Sequence, residues 1–303
     1  MMYNIFDETY LDKTESLNNS IYYKVNKKQV EFDNLFFEEM DHKKINSISN
    51  YSIFDVTNLD KKKLLNNPIY KVNGKQIEFD NLFNEELDDK TLDLISNYSI
   101  LKFGNEFNKN IDKIPNSIEE IYFGKKFDKP IYKLPNSIKK IQLESNFSYK
   151  IDNLPDLIEE LIFVDSIDEN NYYQKTFIKS KFSNKIKNLP NKLKKIKLPN
   201  NYNEEIDGIL PESIEEIALG DDFNNKLDNL PIGIKKIKIG NTKNSCFDKS
   251  IDNFPDNIES IEILNQYYDN INKFPKNLKY LKINSRFYFI NKNNIPNVGL
   301  DLI

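Results

Sequence analysis

The sequence predicts a strand-dominated α/β solenoid, in which short coils of chain stack side by side along one long parallel β-sheet. Three observations support this class: a proline motif that recurs about every 20 residues, apolar residues at fixed offsets inside each recurrence, and a charged pair whose sign inverts from one recurrence to the next. A fixed period of this length is typical of repeat architectures, because each repeat can bury its apolar face only against its neighbours.

The proline motif sets the period. Nine of the 12 prolines follow Leu, Ile or Phe in one recurring motif, and they are Pro115, Pro135, Pro155, Pro190, Pro211, Pro231, Pro255, Pro275 and Pro296. The frame between them reads L-P-x-x-I-x-x-I-x-L-x-x-x-F-x-x-x-I-x-x-L-P. Its I-x-L part alternates with period two, which predicts a short strand with one buried face. A coil of about 20 residues leaves little room for a helix, and we therefore expect turns between the strands. We also expect a right-handed, gently curved solenoid with the sheet on its concave face.

The charged pair lies just before and within each predicted strand. Its first position reads Glu119, Lys139, Glu159, Lys194, Glu215, Lys235, Glu259 and Lys279, and its second reads Glu120, Lys140, Glu160, Lys195, Glu216, Lys236, Ser260 and Tyr280. Equivalent residues of neighbouring parallel strands lie about 4.8 Å apart. The alternation therefore predicts that each Glu stacks between lysines, whereas coils paired in the wrong order would bring like charges together.

The first hundred residues contain a different repeat. The segment Tyr23–Ile53 recurs as Tyr70–Ile100 at an offset of 47 residues without a gap. We expect each copy to form a hairpin, a helix and one solenoid strand, so that two larger coils at 1–97 cap a repeat region at 98–303.

Local signals place the elements of the second copy. Asn73-Gly74 between β-favouring runs predicts a type I′ hairpin turn. Asp80-Asn81 predicts the cap of a helix whose apolar positions include Phe83, Leu87, Leu94 and Ile95.

The later coils resemble a known family. "FNKNIDKIP" (Phe107–Pro115), "FDKPIYKLP" (Phe127–Pro135) and "FNNKLDNLP" (Phe223–Pro231) look like the FNIP repeat, a leucine-rich-repeat-like unit of social amoebae and of giant viruses that infect amoebae. The resemblance extends from about Tyr98 to the C-terminus. It implies a protein-interaction solenoid and supplies no catalytic residues.

The resemblance also suggests a second interpretation of the function. Many viral members of the family begin with an F-box, so the chain could be the substrate-recognition subunit of a ubiquitin ligase with a degenerate F-box-like start. Against this, no L-P-x-E-type opening precedes the predicted helices.

Composition restricts the partners and the compartment. The net charge is −4, which provides no overall field for nucleic acid. No apolar run approaches the roughly 20 residues that span a bilayer. The single cysteine, Cys246, rules out an intramolecular disulfide and suits a reducing compartment. We therefore predict a cytoplasmic protein, in the host cell's cytoplasm if the gene is viral, with no nucleic-acid or membrane partner.

Catalytic chemistry has little support, although an enzyme of unrecognised type stays open as a third interpretation. His42 is the only histidine, and it lies among charges, so we expect it to be solvated. Cys246 has no histidine to activate it, and we expect a partly buried thiol. Neither a phosphate-binding glycine motif nor a metal-ligand spacing is present in the sequence. We therefore predict no catalytic residue, cofactor or metal.

Partner binding has two candidate surfaces. The step from Pro155 to Pro190 holds about fifteen extra residues, which we expect to leave the sheet near 164–180 as a loop. The loop is either a binding loop or a lid over the solenoid's own apolar residues. The candidate partner-binding residues are Tyr172, Tyr173, Lys175, Phe177 and Ile178 in the insert, and Tyr122, Ile162, Val164, Lys197 and Lys238 on or beside the predicted concave face.

Overall fold

A computed structural model describes residues 70–166, 177–264 and 271–303 in full, and the backbone of residues 11–17, 20–25 and 28–33. The chain divides into two compact units, Met1–Asn67 and Pro68–Ile303. In the first unit, β1 (Leu11–Leu17), β2 (Ser20–Val25) and β3 (Lys28–Asp33) form an antiparallel sheet in the order β1-β2-β3.

The second unit is built on one 12-stranded sheet whose strands follow the chain order. Its strands are β4 (Tyr70–Asn73), β5 (Gln76–Phe79), β6 (Ile100–Lys102), β7 (Glu120–Tyr122), β8 (Lys140–Leu143), β9 (Glu160–Phe163), β10 (Lys195–Lys197), β11 (Glu216–Leu219), β12 (Lys236–Ile239), β13 (Ser260–Ile263), β14 (Tyr280–Ile283) and β15 (Gly299–Leu302). Its two helices in the described residues are α1 (Asp89–Ile95) and α2 (Ser285–Asn291). Only β4 runs antiparallel to its neighbour, so the predicted strand-dominated solenoid with a long parallel sheet is confirmed.

The sheet continues across the long insert as the charge pattern predicts. Ile196 of β10 pairs with Leu161 of β9 on one side and with Ile217 of β11 on the other. β9, β10 and β11 are therefore direct neighbours, and the ladder of backbone pairing between them is unbroken.

Turns fill the space between the strands, as expected for a coil of this length. The carbonyl of every motif proline except Pro296 accepts a hydrogen bond from the N–H three residues later, as in Pro115–Ile118 and Pro135–Ile138, both at 3.1 Å. The proline sets φ for the extended segment and has no N–H that would need a partner. Each coil therefore enters its strand through the same tight turn.

The second N-terminal copy forms the predicted hairpin, helix and strand, but two details of the prediction were wrong. Asn73 pairs with Gln76, so the loop is Gly74-Lys75, and only Gly74 has positive φ, at 57°. Positive φ at the first central position is the type II′ pattern, not type I′.

The helix of this copy begins later than predicted, because a different aspartate provides its cap. The Asp80 carboxylate accepts the N–H of Leu82 and closes a local turn. The Asp88 side chain accepts the N–H of Thr91 at 2.8 Å and starts the helix at Asp89. In the first copy, β2 and β3 form the predicted hairpin, while its helix and final strand lie outside the described residues. The division of the chain at 97 and 98 stays a prediction.

Parallel columns of apolar side chains form the core. The strand positions Ile121, Ile141, Leu161 and Ile261 are completely buried. Phenylalanines form a second column, and Phe127 stacks at centroid distances of 3.8 Å on Phe123 of its own coil and 6.2 and 6.3 Å on the rings of the flanking coils. The F of the repeat is thus a stacking position.

In several coils, the residue after the stacked aromatic residue holds the coils in register. The Asn or Asp side chain at this position accepts a backbone N–H from the next coil, which satisfies a donor that a turn would otherwise leave unpaired. The pairs are Asn108 with Asp128 at 2.9 Å, Asp128 with Ser148 at 2.9 Å, Asn203 with Asn224 at 2.8 Å and Asn224 with Asp248 at 2.9 Å. This explains why Asn or Asp follows the aromatic residue.

The alternating charges stack as predicted. In the first row the pairs are Lys139–Glu119 at 3.1 Å, Lys194–Glu159 at 2.8 Å, Lys235–Glu215 at 2.8 Å and Lys279–Glu259 at 2.9 Å. In the second row, Glu216 contacts both Lys195 at 3.0 Å and Lys236 at 2.5 Å. The hydrogen bond from Lys236, supported by the one from Lys195, holds the pKa of Glu216 below its usual value.

The aromatic column should be the most sensitive part of the core. Replacing Phe127, which is 2% exposed, by Ala should lower the free energy of unfolding by about 3–5 kcal/mol in urea titrations, because the deletion leaves a cavity. Tyr132→Ala is the control: its side chain is 58% exposed, and the change should stay within about 0.5 kcal/mol. Equal losses in the two variants would contradict a stacked aromatic core.

The charge rows give a second prediction. Glu216→Lys should lower the free energy of unfolding by about 1–2 kcal/mol at low salt, because it replaces two attractions by two repulsions on a partly solvated row. The loss should shrink in about 1 M salt, where the screening length is short. Glu216→Gln removes the attractions without adding repulsion and should cost less. A loss that is independent of salt would argue against the ladder.

Candidate functional site

The middle residues of the strands form a continuous row across the sheet, which we call the sheet-face row. It consists of Lys102, Tyr122, Gln142, Ile162, Lys197, Ala218, Lys238, Glu262 and Lys282, each in register with the next. All nine side chains are half-buried. Four of the predicted partner-binding residues are therefore members of one row.

Tyr122 lies between two lysines. Its hydroxyl donates a hydrogen bond to Glu120 at 2.6 Å, and the Nζ atoms of Lys102 and Lys140 lie 4.9 and 5.8 Å from its ring centroid. Burial, followed by the adjacent Glu120 carboxylate, raises the pKa of Tyr122. The ring is thus held as a neutral aromatic contact surface beside positive charge, a combination that suits protein recognition.

The apolar part of the row is smaller than expected. Ile162 and Val164, two of the candidate partner-binding residues, are both half-buried. The Val164 N–H donates to the carbonyl of Leu143 at 2.8 Å, so the chain stays against the preceding coil for one residue beyond β9.

The two lysines further along the row differ in their partners. Lys197 forms an ion pair with Asp165 at 3.0 Å, and the Asp165 side chain is only 6% exposed. Lys238 lies between Ala218 and Glu262 and has no ion pair within 4.0 Å among the described residues. Lys238 is therefore the more available of the two for a partner's carboxylate.

The root of the insert is fixed by a network that the sequence analysis missed. The Ser166 hydroxyl lies 3.0 Å from the Ser145 hydroxyl and donates to Glu144 at 3.0 Å. On the return side, the N–H groups of Ile178 and Lys181 donate to the carbonyls of Ser166 and Ser145 at 2.8 and 2.7 Å. Both ends of the insert are thus attached to the same preceding coil.

The predicted insert residues fall on both sides of the described boundary. Phe177 is half-buried and Ile178 is 46% exposed. Tyr172, Tyr173 and Lys175 lie outside the described residues. The aromatic column resumes immediately afterwards, because Phe182 is completely buried and stacks on Tyr202 at 5.7 Å.

Glu144 is the most unusual carboxylate of this region. Burial raises its pKa above the usual value, while the hydrogen bond from Ser166 acts in the opposite direction. It occupies the position after the strand where other coils have Gly124 or Gly220. This departure from glycine was the available signal in the sequence.

In the described residues, no group of three His, Cys, Asp or Glu side chains could hold a metal ion. Cys246 is exposed, so the expectation of a partly buried thiol was wrong. Its backbone N–H pairs with the Asp221 carbonyl, while the neighbouring Phe247 fills the core position and leaves the thiol outside. His42 lies outside the described residues. No helix in the part of the chain with described coordinates is long and apolar enough to cross a membrane.

These features define a leucine-rich-repeat-like solenoid with an extended, partly exposed sheet face. The crystal structure of CroV588, a giant-virus protein described as a novel circular LRR protein, matches the fold with a TM-score of 0.51 and 23% identity. The match covers 72% of this chain and 38% of CroV588, and at this identity it shows the fold alone.

The FNIP Repeat family model matches residues 182–222 and 202–242 of this chain. The predicted resemblance is confirmed by this match. None of the curated proteins matches the sequence significantly.

The partly buried Glu144 generates a pH prediction. Because its folded pKa is raised, the native state binds this proton more tightly than the unfolded chain, and ionisation of Glu144 destabilises the fold as pH rises through that range. Glu144→Gln keeps an acceptor for Ser166 without the charge. The variant should therefore melt at least as high as the wild type at pH 7, and this advantage should disappear near pH 4. A variant that is less stable at pH 7 would contradict this assignment.

Proposed function

We propose that this FNIP-repeat solenoid is a non-enzymatic protein-interaction module that binds a protein partner through the sheet-face row. The observation that carries the proposal is the row itself: it presents one partly exposed side chain per strand at a regular spacing of about 4.8 Å. Tyr122, Ile162, Lys197 and Lys238 provide aromatic, aliphatic and cationic contacts along it. A long row of such mixed contacts suits an extended or broad protein partner better than a small substrate.

The insert is the second element of the proposed surface. Val164 and Ile178 flank it, and both of its ends are attached to the coil that contains Ser145. Because both of its ends are attached, the insert could contact a partner without deformation of the solenoid. We assign Tyr172, Tyr173, Lys175, Phe177 and Ile178 to partner contact, because aromatic residues are enriched at binding hot spots.

A protein partner in the cytoplasm is favoured over nucleic acid. Most lysines beside the sheet face already contact carboxylates, as Lys195 contacts Glu216 and Lys197 contacts Asp165. A phosphate backbone would have to displace these carboxylates and would meet their negative charge.

The test is affinity capture by the full chain from the native host cell, with three variants compared to wild type. Lys238→Glu should reduce capture of the main partner at least about tenfold, because it reverses a charge without breaking an ion pair of the described residues. Tyr172→Ala combined with Tyr173→Ala tests the insert in the same way. Lys243→Glu, an exposed residue beyond the end of β12, is the matched control for the charge change.

The outcomes separate the interpretations. Capture that survives the Lys238 and tyrosine substitutions would contradict the proposed surface. If the insert is instead a lid, the tyrosine variant should keep its partner and lose thermal stability. Capture of a ubiquitin-ligase adaptor would support the receptor interpretation if it depends on residues 1–97. In that case, substitutions among residues 1–97 of the intact chain should abolish capture of the adaptor.

A further inference from the structure

The edge of the solenoid where the strands begin carries a second ordered surface, which we call the strand-start rim. It comprises the two residues after each motif proline and the first residue of each charged pair. The eight charges along it alternate from Glu119 to Lys279, and their side chains are 40–68% exposed. Because the row alternates and has an even number of members, each Glu meets a Lys when a second copy of the row is laid against it in the reverse direction. The centre of reversal lies between Lys194 and Glu215.

The wider charge distribution has the same centre. Residues 170–203 contain nine lysines and no acidic residue, whereas residues 198–225 contain eight acidic residues and no basic one. The coil that carries Lys194 is therefore basic and the coil that carries Glu215 is acidic. Stacking within the chain explains the alternating pairs, but it does not require that the remaining charges of these two coils be sorted in this way.

Two exposed apolar side chains also lie symmetrically about this centre. Leu157 and Ile232 are 37% and 68% exposed, and they lie on the rim one coil before the basic coil and one coil after the acidic coil. Ile232 is the first residue after its motif proline, where other coils have Asn116 and Asn136, and Leu157 is the second, where other coils have Ser117 and Ser137. From one end to the other, the centre of the rim therefore reads apolar, basic, acidic, apolar.

The charges nearest the centre are available for a partner. Lys192 and Glu212 are both exposed, and neither forms an ion pair within 4.0 Å in the described part of the chain. They lie beside Lys194 and Glu215, whose ion pairs with Glu159 and Lys235 leave about half of each side chain exposed.

We propose that the strand-start rim binds the same rim of a second copy of this chain, with a two-fold axis between the basic and the acidic coil. A two-fold axis in the interface reverses the direction of the row, so every rim position meets the position at equal distance on the other side of the centre. Lys192 then faces Glu212 of the other copy, Lys194 faces Glu215, and Leu157 packs against Ile232. The rows further out stay complementary, because Glu119 faces Lys279 and Lys139 faces Glu259.

This arrangement makes an isologous dimer of antiparallel solenoids and leaves the sheet-face row free. It depends on the rim alone and holds whether or not the proposed partner binding is correct. Because its centre is charged and its apolar contacts are few, we expect fast, salt-sensitive association.

The test is sedimentation equilibrium of the full chain at concentrations up to about 100 µM in about 0.05 M and 0.5 M salt. Wild type should dimerise at low salt and dissociate at high salt. Lys192→Glu and Glu212→Lys should each weaken the dimer at least about tenfold, because each brings like charges together twice.

Charge exchange makes the test specific to the proposed axis. The double variant with Lys192→Glu and Glu212→Lys should dimerise like wild type, and the two single variants should form a heterodimer when they are mixed. Lys243→Glu is the control for net charge, and Ile232→Asp should weaken the dimer at low salt, where the wild type associates. Melting curves verify that each variant is folded. A wild type that stays monomeric at low salt, or a double variant as weak as the singles, would overturn the proposal.

Discussion

The structure depends on one constraint: each coil must place its strand directly beside the strand of the previous coil, because neither can bury its apolar face alone. Backbone pairing such as Ile141 with Leu161 enforces the register, and the side chains of a column then repeat at the strand spacing. Each side chain is therefore in direct contact with the residues at the same position of the neighbouring coils. Like charges, mismatched volumes and unpaired donors would recur along the whole solenoid.

A different position of the repeat avoids each of these unfavourable interactions. Phe127 and its equivalents fill the space between coils with stacked rings. Asn108 and its equivalents accept the donors that the turns leave free. Glycine follows several strands because a Cβ at Gly124 or Gly220 would overlap the backbone of the preceding coil. The inverted charge pairs make every row attractive. Stability is thus distributed over many modest contacts, and the same distribution leaves the outer faces free to vary.

The places where the pattern changes are those with functional potential. Glu144 occupies a glycine position, and its network with Ser166 attaches an insert that the solenoid itself does not need. Leu157 and Ile232 occupy rim positions that are polar in most other coils. The sheet-face row varies from strand to strand, whereas the core columns do not. Partner binding and self-association are assigned to these variable positions, since a substitution there does not disturb stacking.

The sequence by itself determined the architecture, because period, register and charge order are properties of a repeated one-dimensional pattern. The proline spacing located the strands, and the alternation of Glu159, Lys194 and Glu215 showed that β9, β10 and β11 are neighbours despite the insert. Only the tertiary structure decided which aspartate caps the helix, the exposure of Cys246 and the partial burial of Glu144. No local propensity encodes how much space the neighbouring backbone leaves, so these outcomes could not be derived from the pattern.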